Sequence, residues 1–303
     1  MKRWYPVLTV IGILVLGLLI TLILKKYSHD GIELKEKPKV ALIQISGLIT
    51  IDASQGFLKS GSSTNQVLED LERVKKDKSI KGVIFEINSP GGMVVASQEV
   101  ADKIKELQVP KIALIREIGT SGAYWIATAT DTIVASPVSI TGSIGVISSY
   151  LEFSDLFAKY GVSYERLVAG ERKDLANPYR RMTPEEKQIL ESKLSKIHSA
   201  FVSAVARNRK MPEAKVWESA TGEFFLGTEA KERGLIDELG NMDTAENIMK
   251  EKLNAKDIEI VQFEHERSIF DVLGMVSSNA AYEVGHGIGD ALIQSNSKSS
   301  VQL

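Results

Sequence analysis

Residues 116–134 read REIGTSGAYWIATATDTIV. A strand-like run, Lys111 to Ile115, ends at Gly119, and Ser121 stands between a glycine-permitted turn and a helix-compatible segment, Ala123 to Thr130. Such a strand-to-helix turn lifts a serine hydroxyl off the sheet and turns the first N–H groups of the helix toward the same space. A nucleophile sits in such a place, and so does a serine that merely caps a helix. Taken alone, the stretch reads as a cap.

Two stretches farther out change the balance. Asn88-Ser89-Pro90-Gly91-Gly92 follows the apolar strand Gly82 to Ile87 and precedes a helix, Met93 to Leu107, so glycine amides again stand where a strand hands the chain to a helix. In an α/β domain such strand ends form the reaction crevice, and two turns there can donate to one carbonyl oxygen. Gly170-Glu171-Arg172-Lys173-Asp174 follows another strand-like run, Val162 to Val168.

The motifs SPGG, TSGAYWIA, TGSIGVI and AGERKD, in this order and spacing, resemble those of the short-form, membrane-bound signal peptide peptidases. The resemblance covers roughly residues 38–265 and rests on four separated motifs rather than on a lone PGG. It implies a serine endopeptidase with a Ser-Lys dyad on an α/β fold, the repeated ββα-type domain shared with the Clp protease and crotonase families. Carried over position by position, it makes Ser121 the nucleophile and Lys173 the general base. Ser143 becomes the hydroxyl that supports the lysine, and the backbone amides of Gly92 and Gly122 the oxyanion hole. One departure is Gly119-Thr120-Ser121-Gly122-Ala123, where the family more often has Ala-Ser-Gly-Gly. Thr120 and Ala123 are therefore expected to affect how closely substrate packs.

The resemblance also implies a homo-oligomeric ring in which neighbouring protomers supply the serine and the lysine of one site. Its substrates are remnant signal peptides and other unstructured hydrophobic peptides, and it calls for no cofactor and no metal. Read without it, Lys173 is a solvated lysine between Arg172 and Asp174, and Ser143 belongs to a plain Gly-Ser turn. A serine needs a base within reach. The four histidines, His29, His198, His265 and His286, lie on no loop that strand topology brings to Ser121, although a Ser-His pair stays open. A lysine can replace histidine when burial disfavours its ammonium form. Two other classes remain: a crotonase-like acyl-CoA enzyme, which uses the same paired amides, and a catalytically silent membrane scaffold. The stomatin-linked Ser-Lys proteases share the fold and would differ mainly in partner.

Farther out, residues 7–24, VLTVIGILVLGLLITLIL, are uncharged and read as a transmembrane helix. Trp4, Tyr5 and Tyr27 flank the run at headgroup level, and no small-x-small cleavage site precedes Lys25-Lys26. The chain thus divides into an anchor over 1–27, a tether over 28–38, a protease domain over 39–265 and a tail over 266–303. The basic residues are balanced across the span, so only the resemblance puts the domain outside the cytoplasm on a single-pass cell-membrane protein. Ser268 to Ile293, interrupted by Asp271, Glu283, His286 and Asp290, reads as a peripheral packing element. A net charge of -2 gives no electrostatic footprint for nucleic acid, and the absence of cysteine excludes thiol chemistry and disulfides.

Within the domain, Val67, Leu68, Leu71 and Val74 recur at helical spacing between the strands Lys39 to Ile45 and Gly82 to Ile87, which predicts parallel crossovers. A further strand is expected at Asp131 to Ala135. Thr183-Pro184-Glu185-Glu186 predicts a capping box and a long helix to about Arg207. Helix, strand, helix and helix follow at Pro212 to Ala220, Gly222 to Leu226, Thr228 to Arg233 and Thr244 to Leu253. Glu229, Asp237 and Glu238 read as solvated carboxylates without a catalytic role.

Overall fold

The computed structural model describes residues 12–22, 37–51 and 63–263. Its centre is an eight-stranded sheet: β1 (Lys39–Ile49), β2 (Ile80–Gly92), β3 (Lys111–Thr120), β4 (Thr132–Ala135), β5 (Ile140–Gly142), β6 (Phe224–Leu226), β7 (Glu238–Leu239) and β8 (Glu259–Gln262). The main path runs β6-β5-β3-β2-β1-β8, with β4 paired to the lower half of β3 and to β7. Among the described strand pairs only β5–β6 is antiparallel. The helices that follow β1 among the described residues are α1 (Thr64–Lys76), α2 (Val94–Glu106), α3 (Gly122–Thr128), α4 (Ser154–Lys159), α5 (Pro184–Arg209), α6 (Glu213–Trp217), α7 (Gly227–Glu232) and α8 (Met242–Leu253).

The middle runs of the central strands, residues 40–43, 83–85 and 112–115, are apolar throughout because both faces are covered. Alternate side chains go to opposite sides. Ala41, Ile43, Phe85, Ile87, Ala113 and Ile115 join α1, α2, α3 and α5 in one core. Val40, Ile84, Ile112, Leu114 and Val134 face the other way, onto Ala245 and Met249 of α8 and onto Ile258. Each such aliphatic side chain taken out of water contributes about 1.5–3 kcal/mol, so these two layers are what hold the sheet. All seven residues of α3 are buried, which explains why Gly122 to Thr128 carries no charged side chain on any side.

The long helix begins as its sequence predicts: the Thr183 side chain accepts from the Glu186 N–H while the Glu186 carboxylate accepts from the Thr183 N–H, and Pro184 opens the first turn. Two expectations need correcting. Ser-Pro-Gly-Gly is not a turn after β2 but its last stretch, reached after register shifts against both neighbours, so Pro90 stands where its missing N–H costs no ladder bond. Val162 to Val168 is not a strand: it pairs with none of the described strands, and Leu167 is 95% exposed.

Of the expected membrane span, residues 12–22 are helical with their large apolar side chains exposed, and the rest lies outside the described residues. No helix among the described residues is long and apolar enough to cross a membrane. The segment Ser268 to Ile293 also lies outside them, as does the tether apart from Lys37 and Pro38.

Candidate active site

Ser121 ends the turn between β3 and α3 with φ 54° and ψ −124°, a conformation that L-residues rarely adopt and that costs on the order of 1–3 kcal/mol. The surroundings over-determine it. The Ser121 N–H donates to the Gly142 carbonyl at 2.8 Å, and the Ser121 carbonyl accepts from the Trp125 N–H at 3.0 Å. The serine is thus pinned on both sides of its Cα.

The end of β2 is packed directly on this turn. Gly91 takes φ +99°, and a methyl there would meet the Thr120 carbonyl and the Gly122 nitrogen, each at 2.8 Å. At Gly92 a methyl would stand 2.1 Å from the Ile49 carbonyl oxygen. Only glycine allows this approach. A methyl on Gly122 would lie 3.4 Å from the Gly92 nitrogen, so the amides of Gly92 and Gly122 stand close together. As the first residue of α3, Gly122 has an N–H that no carbonyl of its own helix can reach.

Both expected departures from the family pattern sit beneath this contact. Thr120 donates its hydroxyl to the Pro90 carbonyl at 3.1 Å and fastens one turn to the other. Ala123 is fully buried. Neither lines the cavity beside the serine, so neither touches what enters it.

That cavity, about 480 Å³, is lined by Gly92, Ser121, Gly122 and Ser143, with apolar walls from Val94, Trp125, Val146, Ile147 and Phe201. Trp125 and Phe201 stack at 4.7 Å, which fixes the floor. Ser143 follows Gly142, both at positive φ, and the resulting twist lets its hydroxyl donate to the Gly222 carbonyl at 3.1 Å. Its oxygen keeps lone pairs to accept with. Two close amides, a strained serine and an apolar trough suit binding and attack on a peptide carbonyl.

Lys173 is not among the lining residues. Its side chain is exposed and has no hydrogen-bond or ion-pair partner among the described residues. The sequence shows no strand-end loop that would bring His198 to Ser121, yet α5 carries it into the cavity wall. Its Nε2 lies 3.1 Å from the Ile144 carbonyl oxygen, and its ring meets Trp217 edge-on at 4.9 Å. A carbonyl can only accept, so Nε2 carries the proton. The signal was present: His198 falls three residues before Phe201 and four after Leu194, on the helix's apolar stripe. Glu229, Asp237 and Glu238 are absent from the cavity. They accept from the Leu226 N–H, pair with Arg209 and pair with Lys231 respectively.

Residues 103–256 match the model of peptidase family S49. A protein of Methanocaldococcus jannaschii provisionally named a protease is 31% identical over 301 residues, covering 96% of each chain. A protein of Enterococcus faecium provisionally named signal peptide peptidase SppA is 29% identical over 297 residues, 89% of this chain and 86% of the relative. The chloroplastic serine protease SPPA of Arabidopsis thaliana is 31% identical over 253 residues, 80% of this chain and 37% of the relative. The chain belongs to peptidase family S49 and is a serine peptidase of the signal peptide peptidase type.

Proposed function

We propose that Ser121 is the nucleophile and Lys173 the general base of a Ser-Lys dyad, shared between neighbouring copies of the chain. The single observation that carries the reading is that Ser121, Gly92 and Gly122 line one cavity with the two glycines packed against each other. A neighbour's lysine entering that cavity would be desolvated, which favours the neutral amine a base requires. It removes the Ser121 proton as Oγ attacks the carbonyl carbon. The negative charge passes to the carbonyl oxygen, where the two amides receive it. Collapse releases the amine, which takes up the proton, and leaves an acyl-enzyme. Water, activated by the same lysine, then hydrolyses it. Ser143 accepts from the amine and orients it.

A shared site accounts for an exposed Lys173 and for the apolar surface on the intervening chain, where Ile147 is 90% exposed and Leu151 72%. A second copy is the occupant that fits both. The trough's apolar walls suit unstructured hydrophobic peptides, including remnants of signal peptides, and residues 7–24 would anchor the domain in the cell membrane on the extracytoplasmic side. A second reading, in which His198 is the base, is favoured by its place in the wall; its Nε2–H is committed to Ile144, which leaves only Nδ1.

The test uses the full chain in detergent with an unstructured fluorogenic peptide. Ser121→Ala and Lys173→Ala are each expected to be inactive alone and to recover hydrolysis when mixed under verified subunit exchange. His198→Asn stays within about tenfold of wild type, the scale of a binding rather than a general-base contribution. Full activity of Lys173→Ala, or an inactive His198→Asn, would sink the dyad.

A further inference from the structure

Lys173 lies in a stretch without helix or strand, yet the residues on both sides of it are tied down. Arg166 donates from Nη2 to the Glu171 carbonyl at 2.7 Å, and Arg172 pairs with Glu185. Asp174 is held by two guanidinium forks. Arg166 reaches Oδ2 from Nε at 2.7 Å and Oδ1 from Nη2 at 2.8 Å. Arg180 reaches Oδ2 from Nε at 2.8 Å and Oδ1 from Nη2 at 3.1 Å, and its Nη2 also donates to the Asp174 carbonyl at 3.3 Å.

The chain of contacts then leads into regular structure. Arg180 donates from Nη2 to Glu186 Oε1 at 2.6 Å and from Nη1 to Oε2 at 2.9 Å, and Glu186 is the carboxylate of the α5 capping box. The Asp174 side chain is only 8% exposed although the loop around it is open. The Arg166 and Arg180 guanidinium groups hold its carboxyl well below the usual carboxylate range. Bidentate pairs of this kind fix geometry as well as charge. Between the clamped residues, the Lys173 amine has no partner among the described residues.

We infer that Asp174, gripped by Arg166 and Arg180, is a positioning residue: it fixes the backbone of Lys173 and, being saturated by two arginines, does not capture the lysine amine. The inference rests on the reading of Lys173 as the base of a neighbouring copy's site. An unsatisfied carboxylate beside Lys173 would hold it as a paired ammonium, which is no base. A loosened loop would misplace the amine, and about 1 Å of misplacement can cost on the order of a hundredfold in rate.

The experiment places Asp174→Asn in one or the other member of the mixed pair. In the Ser121→Ala chain, which supplies the lysine, it is expected to remove about 99% of the recovered hydrolysis, the hundredfold loss of a misplaced group. In the Lys173→Ala chain, which supplies the serine, recovery should stay within about twofold, since the altered loop then carries no base. That second pairing also shows that a chain with Asp174→Asn folds and assembles. Equal loss from both placements, or no loss from either, overturns the positioning role. No recovery from the parent pair overturns the shared dyad and the inference with it, a result distinct from the other two.

Discussion

Replacing Gly92 by alanine tests the proposed oxyanion hole with a single methyl group. Gly92 does not have positive φ, so its backbone suits alanine and only the collision matters. The methyl would lie 2.1 Å from the Ile49 carbonyl oxygen, whereas real Cβ atoms stay beyond 3.0 Å of such neighbours. Because the obstacle is backbone, the end of β2 must move away from β1 by about 1 Å, carrying its amide with it. Losing one oxyanion donor costs about 10²–10³ in kcat, or about 2.7–4 kcal/mol, with little change in KM. The crowding itself destabilises by about 1–3 kcal/mol, or a loss in Tm of about 2–12 °C for a domain of this size. The assay is steady-state hydrolysis of an unstructured peptide with kcat and KM resolved, alongside thermal unfolding. Gly82→Ala is the control, since its methyl meets the flexible Met249 Sδ at 2.5 Å on the opposite face and far from the serine. It should lose stability and keep kcat. If Gly92→Ala lowers Tm but leaves kcat within about threefold, the Gly92 amide is not a donor.

Further outcomes concern stability. Burial works against the Asp237 carboxylate, but the Arg209 guanidinium, at 2.7 and 2.8 Å, outweighs it and leaves the carboxyl below its ordinary range. Its stabilisation is therefore complete above the unfolded value of about 3.9 and fades as pH falls below it. Asp237→Asn should cost about 2–3 kcal/mol at pH 7, toward the low end for a buried pair because Asp237 is 35% exposed. The gap from wild type, followed by urea unfolding, should close below about pH 4; a pH-independent gap would exclude the ion pair as its source. Phe201→Ala removes the ring that supports Trp125 and should cost about 3–5 kcal/mol in the same assay, while a cost under about 1 kcal/mol would mean that the floor repacks.

The central strands were legible because their apolar runs are local. Apolar runs such as Gly82 to Ile87, ended by glycines, give the parallel order, and Thr183-Pro184-Glu185-Glu186 gives the start of α5 to the residue. What escaped depends on partners distant in the chain. Val162 to Val168 has the composition of a strand but finds no strand among those described. Ser-Pro-Gly-Gly looks like a turn until the register shifts against β1 and β3 show how a strand can continue through it. His198 reads as a helix-edge residue until Ile144 and Trp217 close around it. The arginine forks on Asp174 join residues six and eight positions away without any helical period, so no pattern announces them.

On the proposed shared dyad, helix α5 bears on both half-sites of one chain, and its 26 residues act as a rod about 39 Å long. Near its first turn, Glu186 closes the arginine chain behind Lys173; farther along, Phe201 supports the floor beside Ser121, and Arg209 ends it on Asp237. These attachments are phase-locked, because each residue inserted between them would turn one end by about 100° relative to the other. Even four added residues leave an error of about 40°. If Lys173 serves a neighbour's site as proposed, the spacing between the half-site a chain offers and the half-site it keeps can drift through its loops, but hardly through the length of this rod.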